Sequence, residues 1–227
     1  MYRTKGRCKS MRRDSNTGEC LVCFRPVIEG LDLFELIIKN DILCGNCRKK
    51  LIRLDRVYDV NGLKVHALYQ YNDVLEKWMY QIKESKDETL GKCFIYGLSN
   101  KINKAYREYV LVPVPSSIEK TEERGFHAVL KMFASVDCVK LNCLIKDDIK
   151  QSKLNRYERQ QINSSIHLMD NSVNQIPKLL IVDDVCTTGA SLKACVDLLK
   201  TDHNQIKICV IALHEMWIKN SSMKKVF

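Results

Sequence analysis

The sequence predicts an α/β fold, a parallel sheet with helices on both faces, preceded by a small metal-stabilised module. Three observations carry this expectation. Apolar runs near 109–112, 179–182 and 206–213 each stop abruptly at polar or turn residues, as the buried strands of a parallel sheet do. Between the second and third runs, Leu192, Cys195, Val196 and Leu199 fall at helical spacing, so strand, helix and strand alternate. Upstream, Cys20-Leu-Val-Cys23 and Cys44-Gly-Asn-Cys47 form two C-x-x-C pairs separated by twenty residues, a strong four-thiolate zinc signal.

A chain of 227 residues accommodates one α/β domain of ordinary size and a small module. No run approaches the roughly 18 apolar residues of a membrane span, and the basic amino end lacks the apolar stretch of a secretory signal. We therefore expect a cytoplasmic protein without a membrane span. In that reducing setting most of the eleven cysteines act as small hydrophobes, and the clustered ones as metal ligands. The net charge of +10 fits a polyanionic partner as well as it fits a merely lysine-rich surface.

Taken in order, residues 1–19 read as a basic arm, with six Lys or Arg in the first thirteen positions. Residues 20–50 read as the zinc module. Each knuckle presents two thiolates from one tight turn, and Cys20, Cys23, Cys44 and Cys47 complete a closed S₄ site with no open position for water. The zinc is expected to be structural, because so short a module lacks a core of its own. A thioredoxin-like redox motif would explain either pair alone, but not both. The apolar stretch 31–38 is expected to pack over the metal. Residues 64–71 alternate in places like a strand, whereas Val74, Leu75, Trp78, Met79 and Ile82 keep helical spacing. A further helix is expected around 93–106. The five histidines lack metal-like partner spacing and read as structural or surface residues.

The chemistry concentrates where the run 179–182 meets Asp183-Asp184 and the turn Cys186-Thr187-Thr188-Gly189-Ala190-Ser191. A strand, a small hydroxyl-rich turn and a helix start suit a phosphorylated sugar. The first helical N–H groups and the helix dipole favour a phosphate, and the hydroxyls of Thr187, Thr188 and Ser191 can donate to it. Ionised Asp183 and Asp184 cannot donate, so they would accept from sugar hydroxyls, directly or through Mg²⁺. A P-loop nucleotidase also ends a strand in acids, but it needs G-x-x-x-x-G-K-[ST] upstream. The one Gly-Lys pair, Gly91-Lys92, precedes Cys93 and lacks the earlier glycine.

Residues 179–191 resemble the phosphoribosyl-pyrophosphate (PRPP) motif of type I phosphoribosyltransferases: four apolar residues, two acids, then V-x-T-T-G-A-[TS]. The resemblance implies that Val185, Cys186, Thr187, Thr188, Gly189, Ala190 and Ser191 bind the phosphate end of PRPP, with Asp183 and Asp184 as the catalytic carboxylates. Pro113-Val114-Pro115-Ser116, followed by Lys120 and Arg124-Gly125-Phe126, resembles the V-P-V-P, bases and R-G-F-N-Q order of the ComF family of late-competence proteins. His127 and Ala128 stand where that family has Asn and Gln. Lying at a strand's carboxyl end, Pro113, Val114, Pro115, Ser116, Lys120 and Arg124 are expected to face the pyrophosphate. Residues 151–163 resemble the family's Q-x-x-L-[SN]-R-x-x-R segment through Gln151, Leu154, Arg156 and Arg159. This polar stretch suits a flap in which Arg156 and Arg159 share a helix face.

The family resemblance thus implies a type I phosphoribosyltransferase-like domain over 109–218, preceded by a connecting or hood region over 51–108 and followed by a frayed tail over 219–227. It further implies PRPP or ribose 5-phosphate as ligand, and a role in moving single-stranded transforming DNA with competence DNA-uptake proteins. A purely metabolic phosphoribosyltransferase acting on a nucleobase-like acceptor, with no DNA role, is the alternative.

Overall fold

In a computed structural model, residues 18–30, 42–146, 166–169, 171–220 and 224–225 are described. The chain divides into two units, Met1–Arg48 and Lys49–Phe227. The stretch 31–38, the arm before Gly18 and the proposed flap with Gln151, Arg156 and Arg159 lie outside the described residues.

The first unit is built from the two knuckles. The Cys20 N–H donates to the Arg25 carbonyl at 2.8 Å, the Phe24 N–H returns to the Cys20 carbonyl at 2.9 Å, and the Val27 N–H reaches Gly18 at 2.7 Å. The second knuckle leads into α1 (Gly45–Arg48). The Leu21 N–H donates to the Ile42 carbonyl and the Gly45 N–H to that of Glu29, both at 3.0 Å. The two turns are thereby tied to each other.

The second unit opens with a hairpin. Strands β1 (Arg53–Val60) and β2 (Leu63–Gln70) pair antiparallel around Asn61-Gly62. Both turn residues have positive φ, 51° and 83°, which is why Asn-Gly serves there. Helix α2 (Asp73–Lys83) is capped by Asn72, whose Oδ1 accepts from the Leu75 N–H at 2.9 Å. It buries Leu75, Trp78, Met79 and Ile82, the face the spacing predicted. Instead of one helix over 93–106, two 3₁₀ turns (Thr89–Phe94 and Tyr96–Leu98) precede α3 (Ser99–Tyr106). Within the first of these turns lies Gly91, where a Cβ would come within 3.1 Å of the Lys131 backbone. The chain passes too close to its neighbour for a side chain there.

Four parallel strands make the centre of the sheet: β3 (Val110–Pro113), β6 (Lys178–Cys186), β7 (Gln205–Leu213) and β2. The order is β3-β6-β7-β2-β1-β8, with β8 (Lys224–Lys225) antiparallel on β1. The flanking helices are α4 (Ile118–Arg124), α5 (Ala128–Met132), α6 (Ala190–Leu199) and α7 (Glu215–Asn220). Short strands β4 (Leu144–Lys146) and β5 (Ile166–Leu168) form a separate antiparallel pair. Leu179 to Val182 and Cys209 to Leu213 are fully buried, as central parallel strands require. Residues 51–108, read from sequence as a connecting or hood region, thus supply two strands of the sheet itself. The tail from 219, read as frayed, returns β8 to β1.

One polar cluster lies inside this frame. The hairpin register shifts between Arg53 and Arg56, and Asp55 sits in the irregularity with φ of 49°. Its carboxylate takes His66 Nε2 at 3.1 Å, Arg53 at 2.8 Å and Lys101 at 2.7 Å. His66 Nδ1 meets the Tyr106 hydroxyl at 2.7 Å. The His66 hydrogen bond, then those of Lys101 and Arg53, hold the Asp55 carboxyl well below its ordinary range against the opposing effect of burial. His66 is a structural residue that fastens the hairpin to α3.

Candidate functional site

Two constellations carry chemistry. The first is the tetracysteine cluster, where the Sγ atoms of Cys20, Cys23, Cys44 and Cys47 all lie within 4.8 Å of one another. Cys23 and Cys44 are 3.6 Å apart, against about 3.8 Å for two sulfurs on a tetrahedral zinc with 2.3 Å bonds. Three of the four are buried. Burial works to raise the Cys20 thiol, but the N–H groups of Cys44, Cys23 and Val22 bring it down to about 7. Burial and the neighbouring sulfurs push Cys47 well up. Four crowded sulfurs that cannot all ionise without a cation fit a zinc ion, which would complete a closed shell.

The second constellation lies at the carboxyl edge of the parallel strands. Strand β6 does not stop at Val182 but runs through both acids to Cys186, because β7 pairs with it as far as Cys186↔Leu213. Alternation along the strand then buries Asp184, 8 % exposed, while Asp183 is half-buried. Burial first and the Asp184 charge second push the Asp183 carboxyl up. After Cys186 the chain enters a hollow lined by Asp183, Thr187, Thr188, Gly189, Ala190 and Ser191, with Val185, Cys186 and Leu192 completing the wall. Gly189 is the N-cap of α6 with φ of 80°.

Three contacts from distant elements hold this loop. Trp217 Nε1 donates to the Thr187 carbonyl at 2.6 Å, and Asn61 Nδ2 donates to that of Thr188 at 3.2 Å. A Cβ on Gly189 would fall 2.7 Å from Val60 Cγ1. The glycine is therefore required by close approach to β1, besides its φ. With these two carbonyls engaged elsewhere and the Ala190 N–H given to Thr188 Oγ1 at 3.3 Å, the next N–H groups of the first turn of α6 and the hydroxyls remain as the donors of the hollow.

The second sequence-expected loop lies alongside. The Val114 N–H donates to the Val182 carbonyl at 2.8 Å, which sets Pro113, Val114, Pro115 and Ser116 beside the end of β6. Lys120 is exposed on α4. Arg124 is placed differently from the expectation that it faces a pyrophosphate. Its Nε donates to the Lys83 carbonyl at 2.7 Å and its guanidinium meets Glu84 at 3.2 Å. The side chain, 7 % exposed, is committed to the end of α2.

Lys83 itself was missed by sequence reasoning, and its ammonium forms an ion pair with Asp184 Oδ2. His127, read only as structural or surface, has both ring nitrogens buried without a hydrogen-bond partner. Burial pushes its pKa down, opposed by the Asp184 charge. Tyr71, at the end of β2, stacks on His214, at the end of β7. No local signal could have found Lys83, which lies about a hundred positions from the acid it pairs with. The departure from the family pattern at 127 was the one signal for His127. Among the described residues, no helix is long and apolar enough to cross a membrane.

No protein-family model matches the chain. The chain is 30 % identical over 161 residues to Competence protein ComFC of Bacillus subtilis, covering 66 % of this chain and 67 % of that protein. It is 26 % identical over 208 residues to Competence protein ComFC of Streptococcus pneumoniae, covering 80 % of this chain and 93 % of that protein.

Proposed function

The chain belongs to the ComF family of competence proteins, and from that premise we propose that the loop Asp183–Ser191 binds PRPP or its ribose 5-phosphate part together with Mg²⁺. The observation that carries the reading is the hollow at the start of α6, with its tied loop, three hydroxyls and the Asp183 carboxyl at the end of a central parallel strand. Such a position is where open parallel sheets take ligands, and a helix start lined by hydroxyls suits a phosphate.

In this reading Thr187, Thr188, Ser191 and the N–H groups of the turn hold the 5-phosphate. Asp183 and Asp184 accept from the ribose hydroxyls and exclude a second anion from that end. The Pro113–Ser116 loop and Lys120 face the pyrophosphate, and Gln151, Arg156 and Arg159 belong to a segment that closes over it. Bound Mg²⁺ supplies charge neutralisation for the pyrophosphate. The cluster of Cys20, Cys23, Cys44 and Cys47 holds structural zinc. The protein works in the cytoplasm, where it assists the handling of single-stranded transforming DNA with the competence DNA-uptake proteins. The family and the charge of +10 support that role. Backbone-dominated binding to single strands must then weaken with salt, by a log–log slope of about −0.7 per phosphate contacted.

Calorimetry with PRPP, ribose 5-phosphate and inorganic phosphate tests the central claim. The wild type should bind all three, PRPP in a Mg²⁺-dependent way. Asp183→Asn with Asp184→Asn should weaken the two sugar phosphates by on the order of tenfold or more and spare inorganic phosphate. Folded, zinc-loaded wild type that ignores PRPP with Mg²⁺ present would sink the reading. PRPP-dependent release of pyrophosphate, measured across nucleobases, separates a transferase from a binding protein.

A further inference from the structure

The structure assigns a second anion position to the far face of the end of β6, with Lys83 as its cation. The ligand class it selects is a sugar that carries an anion at both ends. The inference rests on the reading above and deepens it: PRPP, rather than ribose 5-phosphate alone, fills the site.

Successive side chains of a strand face opposite ways. Asp183 lines the hollow before α6, and Asp184 turns to the other face, where Lys83 at the end of α2 meets its Oδ2. The Asp184 Oδ1 accepts from the Val185 N–H at 2.7 Å, so both oxygens of this acid are taken. The ammonium is not used up in the same way. It carries three donors, Asp184 needs one, and 31 % of the Lys83 side chain is open to water. Bare acids would turn a second anion away. With Asp184 neutralised, this face offers N–H donors instead.

Lys83 is also held in place. Arg124 Nε donates to the Lys83 carbonyl at 2.7 Å and its guanidinium meets Glu84 at 3.2 Å, answering groups that a helix end leaves open. Arg124 ends α4, the helix that follows the Pro113–Ser116 loop. The Val114 N–H ties that loop to the Val182 carbonyl at 2.8 Å, just before the acids. Lys83 therefore sits between Asp184 and the loop expected to face the pyrophosphate. The cation that the sequence pattern puts at 124 is supplied from 83, and Arg124 is its positioning residue, with a planar fork that a lysine lacks. A second observation marks the same place. His127 is half-buried, yet both its ring nitrogens are shielded and unpartnered, within the field of Asp184 and Arg124. A neutral imidazole has one N–H to give, and shielded polar groups ordinarily find a partner. An anion beside Lys83 would supply one.

Calorimetry on the zinc-loaded full chain with Mg²⁺ present tests the inference. On the wild type, inorganic phosphate should compete with ribose 5-phosphate for the hollow, whereas pyrophosphate should still bind once ribose 5-phosphate is saturating. Pyrophosphate excluded by saturating ribose 5-phosphate overturns the inference without any variant. Lys83→Met, which keeps the stem and removes the charge, should lower the ratio of PRPP to ribose 5-phosphate affinity by on the order of tenfold or more, the loss of one charge-assisted hydrogen bond. Lys83→Arg should restore most of that ratio. Arg124→Gln should lower it too, and should add little in the Lys83→Met background, because both act through one ammonium. An unaltered ratio in Lys83→Met, with circular dichroism unchanged, means that the lysine only neutralises Asp184; it overturns this inference and leaves the previous reading in place. Wild type that binds neither ribose 5-phosphate nor PRPP overturns the previous reading, and this one with it.

Discussion

Alanine at position 189 should destabilise the second unit, and the loss should be partly repaired by a second substitution on β1. Two independent costs arise. The backbone at Gly189 has φ of 80°, which costs an L-residue about 1 kcal/mol. The new Cβ would also meet Val60 Cγ1 at 2.7 Å. Val60 is wholly buried, so overpacking adds about 1–3 kcal/mol. The single variant should therefore lose about 2–4 kcal/mol. Val60→Ala alone removes two methyl groups from the core and should cost about 2 kcal/mol. In the double variant the clash disappears while the backbone strain stays. The two losses should then fall short of additivity by about 1 kcal/mol or more. Urea unfolding of the zinc-loaded chain, followed by tryptophan fluorescence, isolates the relevant unit, because the two tryptophans, Trp78 and Trp217, both belong to it. Additive losses within about 0.5 kcal/mol, or a neutral Gly189→Ala, would refute the argument that β1 dictates this glycine.

Zinc should be present at one equivalent per chain and should vanish in Cys20→Ser with Cys23→Ser; unchanged metal content on elemental analysis would rule out the cluster as the ligand set. Asp55→Asn should cost about 3 kcal/mol near neutrality, as loss of a buried ionic partner does. Its carboxyl is depressed in the folded state, so its contribution is full above the unfolded value of about 3.9 and fades as pH falls further. The gap between wild type and variant in denaturant midpoints should accordingly narrow below about pH 4, and a gap independent of pH would contradict the assignment. Trp217→Phe keeps the ring packing but removes the N–H that holds the Thr187 carbonyl. It should cost about 1 kcal/mol and weaken inorganic phosphate binding, whereas unaltered affinity in calorimetry would show that the loop needs no such tie.

The central strands were legible because burial on both faces demands apolar runs, and 109–112, 179–182 and 206–213 have no other plausible place. The amphipathic face of α2 was legible for the same reason. The cysteine cluster was legible because two paired C-x-x-C turns have the spacing a four-thiolate metal site demands, and the four sulfurs do come together. The reach of β6 through Asp183 and Asp184 was not, since it depends on a ladder with β7 that local polarity contradicts. Residues 64–71 gave away a strand but not its membership of the main sheet, because pairing across more than a hundred residues leaves no periodic trace; β1 (Arg53–Val60) was not read at all. At the loop, the hydroxyls and the glycine could be read as a phosphate cradle. That the glycine answers to Val60, and that Arg124 answers to Lys83, follows only from tertiary contacts.

The ties on the loop have a consequence in time. Val60 and Asn61 belong to the first hairpin of the second unit, and Trp217 to its last helix, so the turn at 187–189 is shaped by segments made about 150 positions apart. During synthesis the stretch 179–200 leaves the ribosome before α7 exists. At that stage one of its two carbonyl anchors is missing, and non-local closure of this kind is slow relative to helix formation. A nascent or carboxyl-truncated chain that lacks Trp217 should therefore capture a phosphorylated ligand more weakly than the full chain, although it carries every residue of the hollow. Full competence waits for α7, and a chain clipped before Trp217 should bind no better than Trp217→Phe.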